Sequence, residues 1–98
     1  MKHIINETLE AGIAVKTEFI KNNGDRIIQC AERIAAGLTS GHKLLIFGNG
    51  GSASDAQHMA AEFVNRFEVD RPPLAAIALT TDTSILTSIG NDFSFDDV

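Results

Sequence analysis

The hydrophobic pattern changes its period at Lys43, and this change limits the chain to the α/β class of folds. Before this residue, apolar side chains recur every three or four positions, as they do on one face of a helix. After it, residues 44–47 and 75–79 are short, continuous apolar runs, which are typical of strands buried on both faces. A helical segment over 52–67 joins the two runs and another helix follows the second. The pattern therefore predicts a parallel βαβ unit with a right-handed crossover.

Residues 1–42 have the pattern of two helices. Ile5, Leu9 and Ile13 share one face of a first helix over 3–21, and the apolar stripe of a second helix ends near Gly41. Residues 22–25 read Asn-Asn-Gly-Asp, which favours a break followed by a helix N-cap. The sequence thus predicts a helical hairpin over 1–42, followed by the first βαβα part of an α/β domain over 43–98.

Two parallel strands cannot form a complete sheet that helices cover, because each strand keeps an open edge. The 98 residues suffice for one domain at most. We therefore expect an incomplete sheet, which is either the N-terminal half of a longer domain or is completed by another chain.

The charge distribution argues against a nucleic-acid binder, because the net charge is −5 and no run of Lys or Arg occurs. No apolar stretch approaches the ~20 residues that span a bilayer, and Glu7 and Glu10 lie where a signal peptide is uncharged. The single cysteine, Cys30, excludes an internal disulfide and fits a reducing compartment. We expect a cytoplasmic protein with neither nucleic acid nor membrane as its partner.

A glycine-rich turn, Gly48-Asn49-Gly50-Gly51, connects the first predicted strand to the helix behind it. Glycines let the backbone approach a ligand closely. The start of a helix adds N–H groups and the positive end of the dipole. The turn is therefore a candidate site for an anion such as phosphate.

Two other interpretations of this turn remain open. It can be a plain tight turn, in which Ser52 and Asp55 form a capping box. Residues 48–53 also match a loose G-x-G-x-x-A fingerprint of dinucleotide-binding units. That interpretation needs an acid about 20 residues further on, and the candidate, Asp82, lies well beyond this spacing.

Asp55, His58, Glu62 and Arg66 fall within one quarter turn of the helix over 52–67. His58 and Glu62 are one turn apart, so both can reach one metal ion, and Glu62 can also move a proton on a substrate. Arg66 can hold a phosphate or a hydroxyl group. The plainer alternative is a solvated face with i,i+4 ion pairs, since two ligands do not make a zinc site.

Asn91 and Asp92, taken alone, are typical of a helix end. Taken with the glycine-rich turn and the helix behind it, they complete a resemblance to the sugar isomerase (SIS) domain family, and within it to the phosphoheptose isomerases. The resemblance covers almost the whole chain. It is carried by Phe47-Gly48-Asn49-Gly50-Gly51-Ser52, Asp55-Ala56-Gln57-His58-Met59-Ala60-Ala61-Glu62-Phe63, Asn65-Arg66-Phe67, Arg71-Pro72, Thr81-Asp82 and Ile89-Gly90-Asn91-Asp92-Phe93.

The resemblance implies a parallel five-stranded α/β fold in a homotetramer, with active sites between subunits. It implies the conversion of sedoheptulose 7-phosphate to heptose 7-phosphate, in bacterial heptose biosynthesis. By position, His58 and Glu62 match two zinc ligands, and Glu62 also matches the catalytic acid/base. The positions that match substrate-binding residues are Asn49, Gly50, Gly51, Glu62, Arg66, Asn91 and Asp92.

Members of this family carry further functional residues after the point that Val98 matches. These are a Ser/Thr-rich phosphate loop and a late helix, whose Gln and His complete the zinc site and supply a second acid/base. The resemblance thus implies that residues 1–98 alone are inactive. A non-enzymatic SIS relative, the replication-initiator-associating protein, is the alternative and would make the chain a protein-binding module. Glu62 favours the isomerase, because that relative lacks this acid.

Overall fold

The computed structural model describes all residues from Met1 to Val98 and confirms the predicted α/β class. Two compact units divide the chain, Met1–Ala36 and Gly37–Val98. The predicted boundary between residues 42 and 43 stays a prediction. The elements are α1 (Lys2–Thr39), β1 (Leu44–Ile46), α2 (Gly51–Val64), β2 (Ala76–Ala78), α3 (Thr83–Asp92) and a closing 3-10 turn, η1 (Phe95–Asp97).

The two strands form a parallel sheet in which Leu44 pairs with Ala76 and Ile46 with Ala78. Each strand is slightly shorter than the apolar run that predicted it. The remaining residues of the second run still pair through their backbone, because the Leu44 N–H donates to Ala75 O and the Leu79 N–H donates to Ile46 O, both at 2.9 Å. The predicted parallel βαβ unit, with α2 as its connection, is confirmed.

The core that holds α2 against the sheet consists of alanines. Ala56 and Ala60 of α2 are buried together with Ala76 and Ala78 of β2, and no large side chain is fully buried. Because alanine side chains are short, the helix backbone can approach the strand closely. Because the alanine face of α2 packs on β2, the orientation of the other faces of α2 relative to the sheet is fixed.

The predicted helical hairpin is wrong, because α1 is one continuous helix of 38 residues. Asn23 turns its side-chain amide back to donate to Phe19 O at 3.0 Å, so this amide is satisfied within the helix. Gly24 in a helix interior costs only ~1 kcal/mol relative to alanine. The sequence between the two predicted helices therefore weakens the helix without ending it.

The apolar stripe of α1 explains why a turn does not form there. A turn would interrupt the spacing of the stripe, yet the same seven-residue interval continues across residues 22–25. It is kept by Ile13, Ile20, Ile27 and Ile34. Although α1 is long, neither it nor any other helix is apolar enough over a sufficient length to cross a membrane.

Candidate functional site

The glycine-rich turn brings the end of β1 onto the first turn of α2. Gly50 has φ 58°, a left-handed conformation that favours glycine. Gly48 has no room for a side chain, because a Cβ atom there would lie 2.7 Å from Ser52 Cβ. The glycines at these two positions are therefore required by the backbone path, for different reasons.

The predicted capping box is wrong, because α2 begins at Gly51 and receives no side-chain cap bond. Ser52 consequently lies inside the first turn and not at the N-cap position. The N–H groups of Ser52 and Ala53 donate to the carbonyls of Asn49 and Gly50, both at 3.1 Å. These two amides are already paired, so an anion at this turn would have to use other donors of residues 48–51.

A cleft of about 650 Å³ opens beside this turn, and we call it the loop cleft. Asn49 and Gly50 line it, whereas Gly51 does not. The opposite wall comes from the end of β2 and the start of α3, including Thr80 and Thr83. The loop cleft thus lies where the carboxyl ends of two parallel strands meet, which is the usual ligand position in open α/β sheets.

Two polar residues at the end of β2 fix this wall. Thr80 is buried, and its hydroxyl donates to Ala53 O at 3.2 Å, which ties β2 to the first turn of α2. Asp82 caps α3, because its carboxylate accepts the Ile85 N–H at 3.0 Å. The Asp82 carboxylate is therefore engaged as a helix cap, which weakens its candidacy as the acid of a dinucleotide site.

A second cleft, of about 600 Å³, lies along the later turns of α2, and we call it the helix cleft. Three members of the predicted polar row line it, Asp55, His58 and Glu62. Apolar side chains make up much of the remaining wall, so a ligand there would be partly shielded from water. These apolar residues are Met59, Phe63, Phe67 and Leu74.

His58 and Glu62 are the two titratable groups in direct contact in this cleft. His58 Nε2 lies 3.0 Å from Glu62 Oε1, as the i,i+4 spacing predicted. The His58 side chain is 76% exposed and that of Glu62 35%, so both remain accessible to a ligand. Nowhere in the chain do three or more His, Cys, Asp or Glu side chains come together in a group that could hold a metal.

The structure does not bring the other candidate residues into either cleft. Arg66 is exposed and forms an ion pair with Asp70. Asn91 and Asp92 lie in the last turn of α3, where the Asn91 amide donates to the Asp92 carboxylate at 3.3 Å. Neither the loop cleft nor the helix cleft is lined by any of these four residues.

Sequence reasoning missed Arg71 as a member of the helix cleft. Its guanidinium donates from Nη2 to Glu62 O at 2.7 Å and from Nη1 to Phe63 O at 2.8 Å. A basic residue shortly after a helix can bind the last carbonyls of that helix, and this was the available signal. The signal is weak, because the contact depends on the path of residues 65–70.

The fold and the two clefts define an α/β domain with an open cleft at the carboxyl ends of a parallel sheet. The sequence model of the SIS domain family matches residues 9–98. The chain therefore belongs to the SIS domain family, as the resemblance indicated.

Several similar proteins are phosphoheptose isomerases. The enzyme of Nitratidesulfovibrio vulgaris strain Hildenborough is 56% identical over 97 residues, which are 99% of this chain and 47% of that enzyme. The enzyme of Aquifex aeolicus is 52% identical over 98 residues, which are 100% of this chain and 49% of that enzyme. The chain thus spans about half the length of these relatives.

Two solved structures of phosphoheptose isomerases share the fold. That from Neisseria gonorrhoeae matches with a TM-score of 0.85 and 43% identity, over 97% of this chain and 48% of its own. That from Francisella tularensis matches with a TM-score of 0.88 and 39% identity, over 97% of this chain and 50% of its own. Both likenesses extend over nearly all of this chain and about half of each solved chain.

Proposed function

We propose that these residues belong to an aldose–ketose isomerase, which converts sedoheptulose 7-phosphate to heptose 7-phosphate. The observation that carries this proposal is the His58–Glu62 pair, 3.0 Å apart on the helix that begins at the glycine-rich turn. One helix thus joins a candidate phosphate loop to a candidate acid/base. The phosphoheptose isomerase relatives supply the substrate class.

Glu62 is the proposed base. Its carboxylate takes a proton from C1 of the ketose, next to the carbonyl at C2. The electrons of the C–H bond form a C1=C2 double bond, and the C2 oxygen takes up a proton to give an enediol. A second acid/base returns a proton to C2 while the C1 hydroxyl loses its proton, which gives the aldehyde. The resemblance assigns this second group to a region after the part that residues 1–98 match.

Zinc is part of this proposal, with His58 and Glu62 as two of its ligands. An imidazole nitrogen and a carboxylate oxygen are both zinc ligands. His58 Nε2 and Glu62 Oε1 lie 3.0 Å apart, so these two side chains could hold one ion together. When bound, zinc would act as a Lewis acid for the oxygens of the sugar.

Substrate binding is assigned to residues from both clefts. Asn49, Gly50 and Gly51 would hold the phosphate or hydroxyl groups through amide donors, and Glu62 would face the reacting carbons. Arg66, Asn91 and Asp92 complete the proposed set by their match to the family.

We include a homo-oligomer, specifically a tetramer, in the proposal. Glu62 is eleven positions after Gly51, which places the two about 16 Å apart along α2 at 1.5 Å per residue. Loop and acid are thus far apart on one chain, and the open edges of the sheet can pair further.

We also propose a cytoplasmic location, because the substrate is a phosphorylated sugar and the only cysteine is unpaired.

Glu62→Gln tests the proposal in the natural protein that contains these residues. We expect turnover of sedoheptulose 7-phosphate to fall about a hundredfold or more, because the amide cannot accept the proton. Glu32→Gln, which neutralises an exposed glutamate of α1, is the matched control and should keep its turnover. Equal turnover of the two variants would show that Glu62 is not the base.

A further inference from the structure

Arg71 is the only arginine whose guanidinium binds the end of a helix. It is partly buried and donates to the carbonyls of Glu62, Phe63 and Pro72, the last at 3.2 Å. It also lines the helix cleft together with Glu62. By contrast, Arg66, five residues earlier, is exposed and paired with Asp70.

Two of the carbonyls that Arg71 binds, those of Glu62 and Phe63, belong to the last turn of α2. The final carbonyls of a helix have no partner within the helix, and the helix dipole gives this end a partial negative charge. A guanidinium pairs with these carbonyls through several donors in a fixed plane, and its permanent positive charge is attracted to the negative end of the dipole. Arg71 thus closes the helix end from outside.

The backbone after α2 depends on the same anchor. Residues 65–70 turn back sharply, with Glu68 at φ 57° and an isolated antiparallel bridge between Phe67 and Val69. Phe63 O accepts a second bond, from the Leu74 N–H at 3.1 Å. The returning chain therefore meets α2 at the turn that carries Glu62.

We infer that Arg71 is a positioning residue, whose guanidinium holds the last turn of α2 and thereby the orientation of Glu62 in the helix cleft. This inference rests on the proposed function, in which Glu62 moves the proton. Arg71 acts through the backbone carbonyls of Glu62 and Phe63, so it fixes the acid/base without touching the loop cleft. Substrate affinity should therefore depend on Arg71 far less than the proton transfer does.

Three variants of the natural protein test this inference: Arg71→Lys, Arg71→Gln and, as the control for loss of one positive charge, Arg26→Gln on the exposed surface of α1. Arg71→Gln should lower kcat about tenfold to a hundredfold, since small displacements of a catalytic group have effects of this size, with a much smaller change in KM. Arg71→Lys should recover part of the loss, because lysine keeps the charge and the donors.

Hydrogen exchange gives a readout that is independent of turnover. In Arg71→Gln, measured below its unfolding temperature, amide protection should be lower than in the wild type in the last turn of α2 and unchanged in β1 and β2. Two results together would overturn the inference: a uniform loss of protection, and a kcat that falls only in proportion to the folded fraction. They would show that Arg71 stabilises the whole fold and does not position Glu62. Wild-type kcat in Arg71→Gln, while Glu62→Gln is inactive, would also overturn it. Full turnover in Glu62→Gln is a different result, since it refutes the proposed function itself.

Discussion

Gly48 occupies the tightest position in the βα turn. A Cβ atom there would lie 2.7 Å from Ser52 Cβ and 2.8 Å from Ser52 O, so β1 or the first turn of α2 would have to move. We expect Gly48→Ala to lower the free energy of unfolding of the natural protein by roughly 1–3 kcal/mol, the usual range for overpacking. Denaturant titration measures this change.

Gly51→Ala is the matched control for that substitution. Gly51 lies in the same turn, but a Cβ atom added to it would meet nothing within 4 Å, and its φ is not positive. This variant should leave the free energy of unfolding nearly unchanged or raise it slightly. A Gly48→Ala variant as stable as Gly51→Ala would mean that the turn has another conformation in the natural protein.

Single residues also show how far sequence reasoning reaches. The spacing of His58 and Glu62 was enough to predict that they are neighbours, because both lie on one helix. The contact of Arg71 with Glu62 O was beyond such reasoning, since it depends on a turn of irregular backbone with Glu68 at positive φ. Whether His58 and Glu62 bind zinc stays a prediction.

At the scale of elements, α1 shows that several residues of low helix propensity in a row do not by themselves end a helix. Residues 22–25 have low helix propensity, but they contain no proline, and the heptad of isoleucines continues through them. The continuous spacing over the whole segment was the better guide. The parallel βαβ unit was predictable because its two apolar runs are separated by a single helix-length segment.

Gly24→Ala tests the continuous helix. With nothing within 4 Å and a helical backbone, alanine at this position should stabilise α1 by about 0.5–1 kcal/mol. Gly41→Ala is the contrasting variant, because Gly41 has φ 82° and a side chain there is strained. Thermal unfolding should therefore shift upward for Gly24→Ala and downward for Gly41→Ala. A downward shift for both would indicate a turn at residue 24.

At the scale of the whole molecule, residues 1–98 lack a substantial core. Four alanines are the buried apolar residues, while Leu45 and Ile77 of the sheet are 52% and 46% exposed. The sequence already indicated this, since two parallel strands leave both edges open. What covers these faces was not predictable, because no segment of residues 1–98 packs over them.

We therefore expect residues 1–98, produced alone, to be poorly stable or to aggregate. Exposed strand edges and apolar faces favour association, and the small core cannot offset the conformational entropy of folding. Calorimetry and light scattering check this expectation. A sharp two-state transition from a monodisperse monomer would contradict it.

The most direct test of the proposed reaction is the origin of the hydrogen that ends on C2 of the aldose. The natural protein is incubated with sedoheptulose 7-phosphate in D₂O, and the aldose is analysed by NMR. Proton transfer through Glu62 and an enediol predicts carbon-bound deuterium at C2, and no such product from Glu62→Gln. An aldose formed at full rate without solvent deuterium would indicate a hydride shift and would contradict the assignment of Glu62 as the base.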